Sequence, residues 1–150
     1  MHERILAIDF GLRRFGLAVS DALGLTAQGL PTLERSRIQS DMDRIRHLIA
    51  EHSVVRIIVG NPLSKSGNET SMSTQVAAFA EKLRKHLSIE VLLWDERLTS
   101  SEANRILRDF GLGIAKRRKA VDRMAATLLL QGYLDRQSFE RERNAGRAIG

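Results

Sequence analysis

Arg4-Ile5-Leu6-Ala7-Ile8-Asp9-Phe10 is apolar on both alternating sets, Ile5 and Ala7 on one and Leu6, Ile8 and Phe10 on the other, and a single acid interrupts it near the end. A segment that is apolar on both faces belongs in the middle of a sheet covered on both sides. Val54-Val55-Arg56-Ile57-Ile58-Val59 reads as a second buried strand and Glu90-Val91-Leu92-Leu93-Trp94 as a third. Helical spacing fills the intervals. Met42, Ile45, Leu48 and Ile49 follow Ser40, placed to cap, and Asp43, placed to favour the helix dipole. Val76, Phe79, Ala80, Leu83 and Leu87 follow Thr70. Strand, helix, strand, helix, strand implies parallel pairing.

Between the first strand and the first helix, Gly11, Gly16, Gly24 and Gly29 punctuate short strands, and an antiparallel meander through about Leu33 is the simplest reading. Beyond the third buried strand, Thr99 and Glu102 form a capping box for a helix carrying Ala103, Ile106, Leu107 and Phe110, which Gly111 and Gly113 end. A basic loop, Lys116-Arg117-Arg118-Lys119, then precedes a last helix expected over about 120–136. Residues 138–150 are polar, charged and weakly patterned, and are expected to be a mobile tail on a single α/β domain spanning 1–137.

With 150 residues, 43% hydrophobic and 28% charged, the chain is long enough for one well-filled core. It has no cysteine, which excludes disulfides and thiolate metal sites; any metal must be held by oxygen or imidazole, which favours a hard cation such as Mg²⁺ or Mn²⁺. The four histidines share no ligand spacing. No apolar run approaches the roughly 20 residues of a membrane span, so the expectation is a cytoplasmic protein with no membrane partner. A net charge of +6 points to a polyanionic partner.

Three acids stand where apolar sequence would otherwise continue: Asp9, the Asp95-Glu96 pair, and Asp122 in Val121-Asp122-Arg123-Met124-Ala125-Ala126. Burying a charge at a core edge is costly unless it is paired or binds metal. Asp9 and Asp95-Glu96 fall at the carboxyl ends of strands, where ligands of open α/β sheets sit. Asp122 shares a helix face with Ala125, Ala126, Leu129 and Tyr133, so it belongs to the side facing the sheet. Together they can form a one- or two-cation site for phosphoryl chemistry. Each acid also has a local explanation, as a strand-end turn former for Asp9 or a helix-dipole partner for Asp122. Asp95 and Glu96 point to opposite faces if the strand persists, so at most one is a ligand; Glu96, with the longer arm, is preferred. Arg13, Arg14, Lys65, Arg97 and the run Lys116, Arg117, Arg118 and Lys119 can grip nucleic-acid backbone around this mouth. Gly11-Leu12-Arg13-Arg14-Phe15-Gly16 is not a P-loop, because the lysine followed by Ser or Thr is missing.

Taken in order, Ala7-Ile8-Asp9-Phe10-Gly11, Gly16-Leu17-Ala18-Val19-Ser20-Asp21, Val59-Gly60-Asn61-Pro62-Leu63, Asp95-Glu96-Arg97-Leu98-Thr99-Ser100 and the stretch 119–126 resemble the YqgF/RuvX family. Its members are pre-16S rRNA nucleases related to RuvC-type Holliday junction resolvases. The resemblance covers about residues 5–135. It implies a ribonuclease-H-like α/β fold: a mixed five-stranded sheet, its first three strands antiparallel and the rest parallel, flanked by helices. It also implies metal ligands at Asp9, Glu96 (or Asp95) and Asp122. Asn61 departs from the family's bulky or β-branched residue, Ser64-Lys65-Ser66 replaces its Asn-Met-Asp, and three acids stand where resolvases use four.

The expected function is a Mg²⁺- or Mn²⁺-dependent nuclease acting on structured nucleic acid, maturing the 5′ end of pre-16S rRNA, as monomer or homodimer. Cleavage of branched DNA is the alternative substrate class, and a non-catalytic RNA-binding assembly factor the alternative role. An actin-like ATPase would need a second Asp-x-Gly turn and a second domain, which the chain lacks.

Overall fold

The computed structural model describes residues 3–64, 66–95 and 114–149, with the side chains of the last helix described from Met124 to Gly146. Strands β1 (Arg4–Phe10), β2 (Arg14–Ser20) and β3 (Ala27–Glu34) form the meander. Helix α1 (Ile38–His52), β4 (Val54–Asn61), α2 (Ser71–Leu87) and β5 (Glu90–Asp95) follow, and α3 (Ile114–Ile149) closes the described chain. The sheet order is β3-β2-β1-β4-β5. Pairing is antiparallel between β1 and β2 (Leu6 with Val19) and between β2 and β3 (Ala18 with Gly29). It is parallel between β1 and β4 (Leu6 with Ile57) and between β4 and β5 (Ile58 with Leu92).

The doubly apolar pattern of β1 is answered by two cores, one on each face. Leu6, Ile8, Phe15, Leu17, Val19, Ile57, Val59 and Val91 pack with Met42 and Ile45 of α1 and Val76, Phe79, Ala80 and Leu83 of α2. On the other face Ala7, Ala18 and Ile58 meet Ala126, Leu129, Leu130, Tyr133 and Leu134 of α3. Small residues on the central strands, Ala7 and Ala18, let this helix lie close to the sheet.

Three local expectations are corrected. Helix α1 begins at Ile38 rather than after Ser40, with Arg37 as an N-cap that makes no side-chain hydrogen bond. The acid of its first turn is the buried Asp41, which accepts hydrogen bonds from Ser36 N (3.0 Å) and Ser36 Oγ (3.1 Å). Asp43 lies one turn too late for that role and pairs instead with Arg46 on the surface (2.8 Å). Third, α3 is far longer than the pattern over 120–136 implied. It takes in the run 116–119, expected as a loop, and continues through most of the polar tail. Lys, Arg, Glu and Ala are all good helix formers, no proline intervenes, and the Arg136–Glu140 pair (3.2 Å, i to i+4) supports the extension. Amphipathic patterning located the part of the helix that is buried; helix propensity extends it beyond the core. Helix α2, expected from about Thr70, is capped there: Thr70 Oγ1 accepts from Ser73 N (3.1 Å) and Ser73 Oγ accepts from Thr70 N (2.7 Å). The proposed Thr99–Glu102 box lies outside the described residues.

The β2–β3 turn is organised by Asp21. Its carboxylate accepts the Thr26 N–H (3.1 Å) and the Leu25 N–H (2.7 Å), and these bonds hold its pKa below the ordinary value of 3.8. The resulting stabilisation is present above that value and is lost as pH falls through the lowered folded-state pKa. Urea midpoints should therefore show Asp21→Asn less stable than the parent at neutral pH, with the difference narrowing in acid; a constant difference would place the effect outside the charge.

Candidate nucleic-acid processing site

Asp9 is half-buried near the carboxyl end of the central strand and pairs across β2 with Gly16. Alternation along β1 sets it on the same face as Ile5 and Ala7, the face covered by α3. The last β1–β4 pair is Ile8 with Val59, so Gly60 follows at the level of Asp9. Glycine on both flanks leaves room beside this carboxylate. On β5, Trp94 is level with Gly60 and Asp95 with Asn61. Leu92 and Trp94 pack on the α3 face, so Asp95, which is exposed, belongs to the opposite one. Asp9 and Asp95 therefore share an edge of the sheet but not a face, with β4 between them.

The course of α3 brings its amino-terminal part to that edge. Gln131 reaches the start of β3, accepting from Ala27 N (3.0 Å) and donating to Leu25 O (3.0 Å). Further along, Leu134, Gln137 and Arg141 line a cleft with Glu3, Ile5 and Ser20 at the amino end of β1. Running the other way, the helix passes Ala126 over Ala7, Ala18 and Ile58, and Asp122 is one turn earlier, toward the end of β1 that carries Asp9. Tyr133 anchors the crossing. Its ring meets Trp94 edge-on (5.2 Å) and its hydroxyl accepts from Arg56 Nη1 (2.7 Å). Glu90 (2.9 Å) and then Tyr133 raise the Arg56 pKa above its ordinary value.

Of the basic candidates, Arg13 and Arg14 are exposed at the β1–β2 turn immediately after Asp9. Gly11 is needed there: a Cβ on it would come within 2.4 Å of the Arg14 carbonyl oxygen. Lys116, Arg117, Arg118 and Lys119 fall in the first turns of α3, so their spacing is helical. Their side chains and that of Asp122 lie outside the described ones, as do Lys65, Glu96 and Arg97 altogether. Among the described residues no three His, Asp or Glu side chains are grouped to hold a metal.

Sequence reading missed three features of this edge. Phe10, Phe15 and Phe79 form an aromatic cluster beneath it, with centroid separations of 4.9–5.8 Å. Arg35 lies over that cluster, 4.6 Å from the Phe10 ring. Asn61 keeps a buried Oδ1 with no hydrogen-bond partner among the described residues. Aromatic residues at core spacing carry no sign that they will meet one another across three elements.

A sheet ordered β3-β2-β1-β4-β5, antiparallel then parallel, with an acid at the end of its central strand and a helix laid across one face, defines the ribonuclease-H-like class of resolvase folds. Thermus thermophilus RuvC, solved in complex with a Holliday junction substrate, shares that fold with a TM-score of 0.52 at 18% identity, over 91% of this chain and 96% of that one. The RuvX family model, described as Holliday junction resolvase, matches residues 3–136, and the chain belongs to this family. A Koribacter versatilis protein named "Putative pre-16S rRNA nuclease" is 49% identical over 142 residues, covering 95% of this chain and 93% of the relative. A Shouchella clausii protein of the same name is 42% identical over 137 residues, covering 90% and 96%.

Proposed function

We propose that this chain is a divalent-metal-dependent nuclease that hydrolyses phosphodiester bonds in structured RNA, with the 5′ end of pre-16S rRNA as its substrate. The observation that carries the reading is the convergence on one sheet edge of Asp9, flanked by glycine, and the amino-terminal part of the helix that bears Asp122. The names of the Koribacter and Shouchella relatives support the substrate class.

The donors suit the metal: in a chain without cysteine, an all-oxygen set of carboxylates matches Mg²⁺ or Mn²⁺. Asp9, Glu96 and Asp122 would hold it. Strand alternation counts against Asp95 as a ligand, since Leu92 and Trp94 share the face of Asp9 and Asp95 does not. When bound, such ions supply an activated water and neutralise charge on the scissile phosphate. The protein's own part is positional. Arg13 and Arg14, in the turn after Asp9, would draw in the backbone, and Lys65, Arg97 and the run Lys116, Arg117, Arg118 and Lys119 would add phosphate contacts. The catalytic domain would span 1–137, in line with the extent of the family match, and its setting would be the cytoplasm. No described helix is long and apolar enough to cross a membrane.

A second substrate class, branched DNA, is favoured by the family description and by the fold shared with junction-bound RuvC. Incubating the protein with precursor rRNA and with a synthetic four-way DNA junction, each with Mg²⁺, Mn²⁺ or chelator, separates the readings. Metal-dependent cleavage of the precursor is expected. Cleavage of the junction alone would transfer the assignment to DNA, and tight binding without cleavage of either would make the chain an assembly factor.

A further inference from the structure

Arg35 follows β3 directly, and its backbone N–H donates to the Arg13 carbonyl (2.9 Å), continuing the β2–β3 ladder by one bond. Its side chain crosses to the neighbouring turn, where Nη1 donates to the carbonyl oxygens of Gly11 (2.8 Å) and Leu12 (3.3 Å). The guanidinium carbon lies 4.6 Å from the Phe10 ring centroid and 5.3 Å from that of Phe15. Both rings lean on Phe79 of α2, at 5.1 Å and 4.9 Å. One exposed side chain thus ties the turn that follows Asp9 to the aromatic cluster under the sheet edge.

We propose that Arg35 is a positioning residue for this site: by holding the Gly11–Leu12 turn against the Phe10 and Phe15 rings, it fixes the strand end carrying Asp9 and the direction in which Arg13 and Arg14 present their charges. The catalytic consequence rests on the nuclease reading; the hold on the turn does not. Arginine suits the task because a planar, always-charged group can stack on an aromatic face while donating in its own plane, which a lysine ammonium cannot reproduce. The two carbonyls are water-accessible, so removing their donor has little effect on global stability and acts mainly on local order. Gly11 already makes the turn tight, so small displacements there pass directly to Phe10 and Asp9.

The test compares Arg35→Met and Arg35→Lys in the full chain. Amide hydrogen exchange across residues 11–14 should become at least about tenfold faster in both, while Tm moves by no more than about 2 °C. On whichever substrate the parent cuts, kcat should fall about 100-fold in both variants with KM nearly unchanged, because a displaced catalytic group slows the reacting step. Unchanged exchange would overturn the proposal. So would full activity in Arg35→Lys, or a rise in KM alone, either of which would make Arg35 a direct phosphate contact. If the parent cuts neither RNA nor DNA, the nuclease reading fails, and the exchange measurement still decides whether Arg35 holds the turn.

Discussion

Asp9→Asn is expected to slow metal-dependent cleavage of the preferred substrate by at least about 10³-fold, equivalent to about 4 kcal/mol of transition-state stabilisation. The substitution is nearly isosteric, so the β1 ladder with Val19, Ala18, Leu17, Gly16 and Phe15 should persist. What it removes is the negative charge facing α3 at the end of the central strand, with glycine beside it and the helix bearing Asp122 passing over the same edge. A neutral amide cannot take the place of a carboxylate in binding a hard cation. Nucleic-acid affinity in chelator, proposed above to come from Arg13, Arg14 and the α3 basic run, should stay the same or rise slightly as a repulsive charge is lost. Retention of metal-dependent cleavage in a well-folded Asp9→Asn protein would remove the proposed site.

Phe79→Ala should be the most damaging single truncation in stability, lowering it by about 3–5 kcal/mol. Phe79 is 4% exposed and sits where α2 meets the sheet, stacked on Phe15 and tilted against Phe10. Its loss opens a cavity between three elements that cannot close without moving strands held by ladder bonds on both sides. Against a typical total of about 5–15 kcal/mol this is a large share, and for a chain of this size it should lower Tm by about 6–20 °C. Thermal denaturation gives the value directly. A decrease of less than about 2 kcal/mol would mean that the cluster can collapse into the cavity, and the aromatic support assigned to Phe10 and Arg35 would then be weak.

The core was legible where burial follows from pattern. The doubly apolar β1 and β4 and the meander before α1 express rules acting over a few residues, and the structure reproduces them, whereas β5, read as a third buried strand, lies at the end of the sheet order with only Val91 buried and Leu93 37% exposed. The start of α1 was misplaced because Asp41 reaches back to Ser36, a contact that competes with the more conventional Ser40 cap. The carboxyl-terminal extent of α3 was underestimated because the residues from Phe139 to Gly146 are exposed, so helix propensity decides what amphipathic spacing does not mark.

By itself, the sequence determined an α/β fold with acids at strand ends and no thiolate chemistry, because alternation, helical spacing and residue type are local properties of the chain. Only the tertiary structure decided which faces those acids share. Asp9 lies on the α3 side and Asp95 on the other because of the pleat and the β4–β5 register, not because of their own neighbours. It alone also brought Arg35 onto the turn beyond Asp9, 24 residues away in the chain, because charge and ring meet there only when β3 returns along β2.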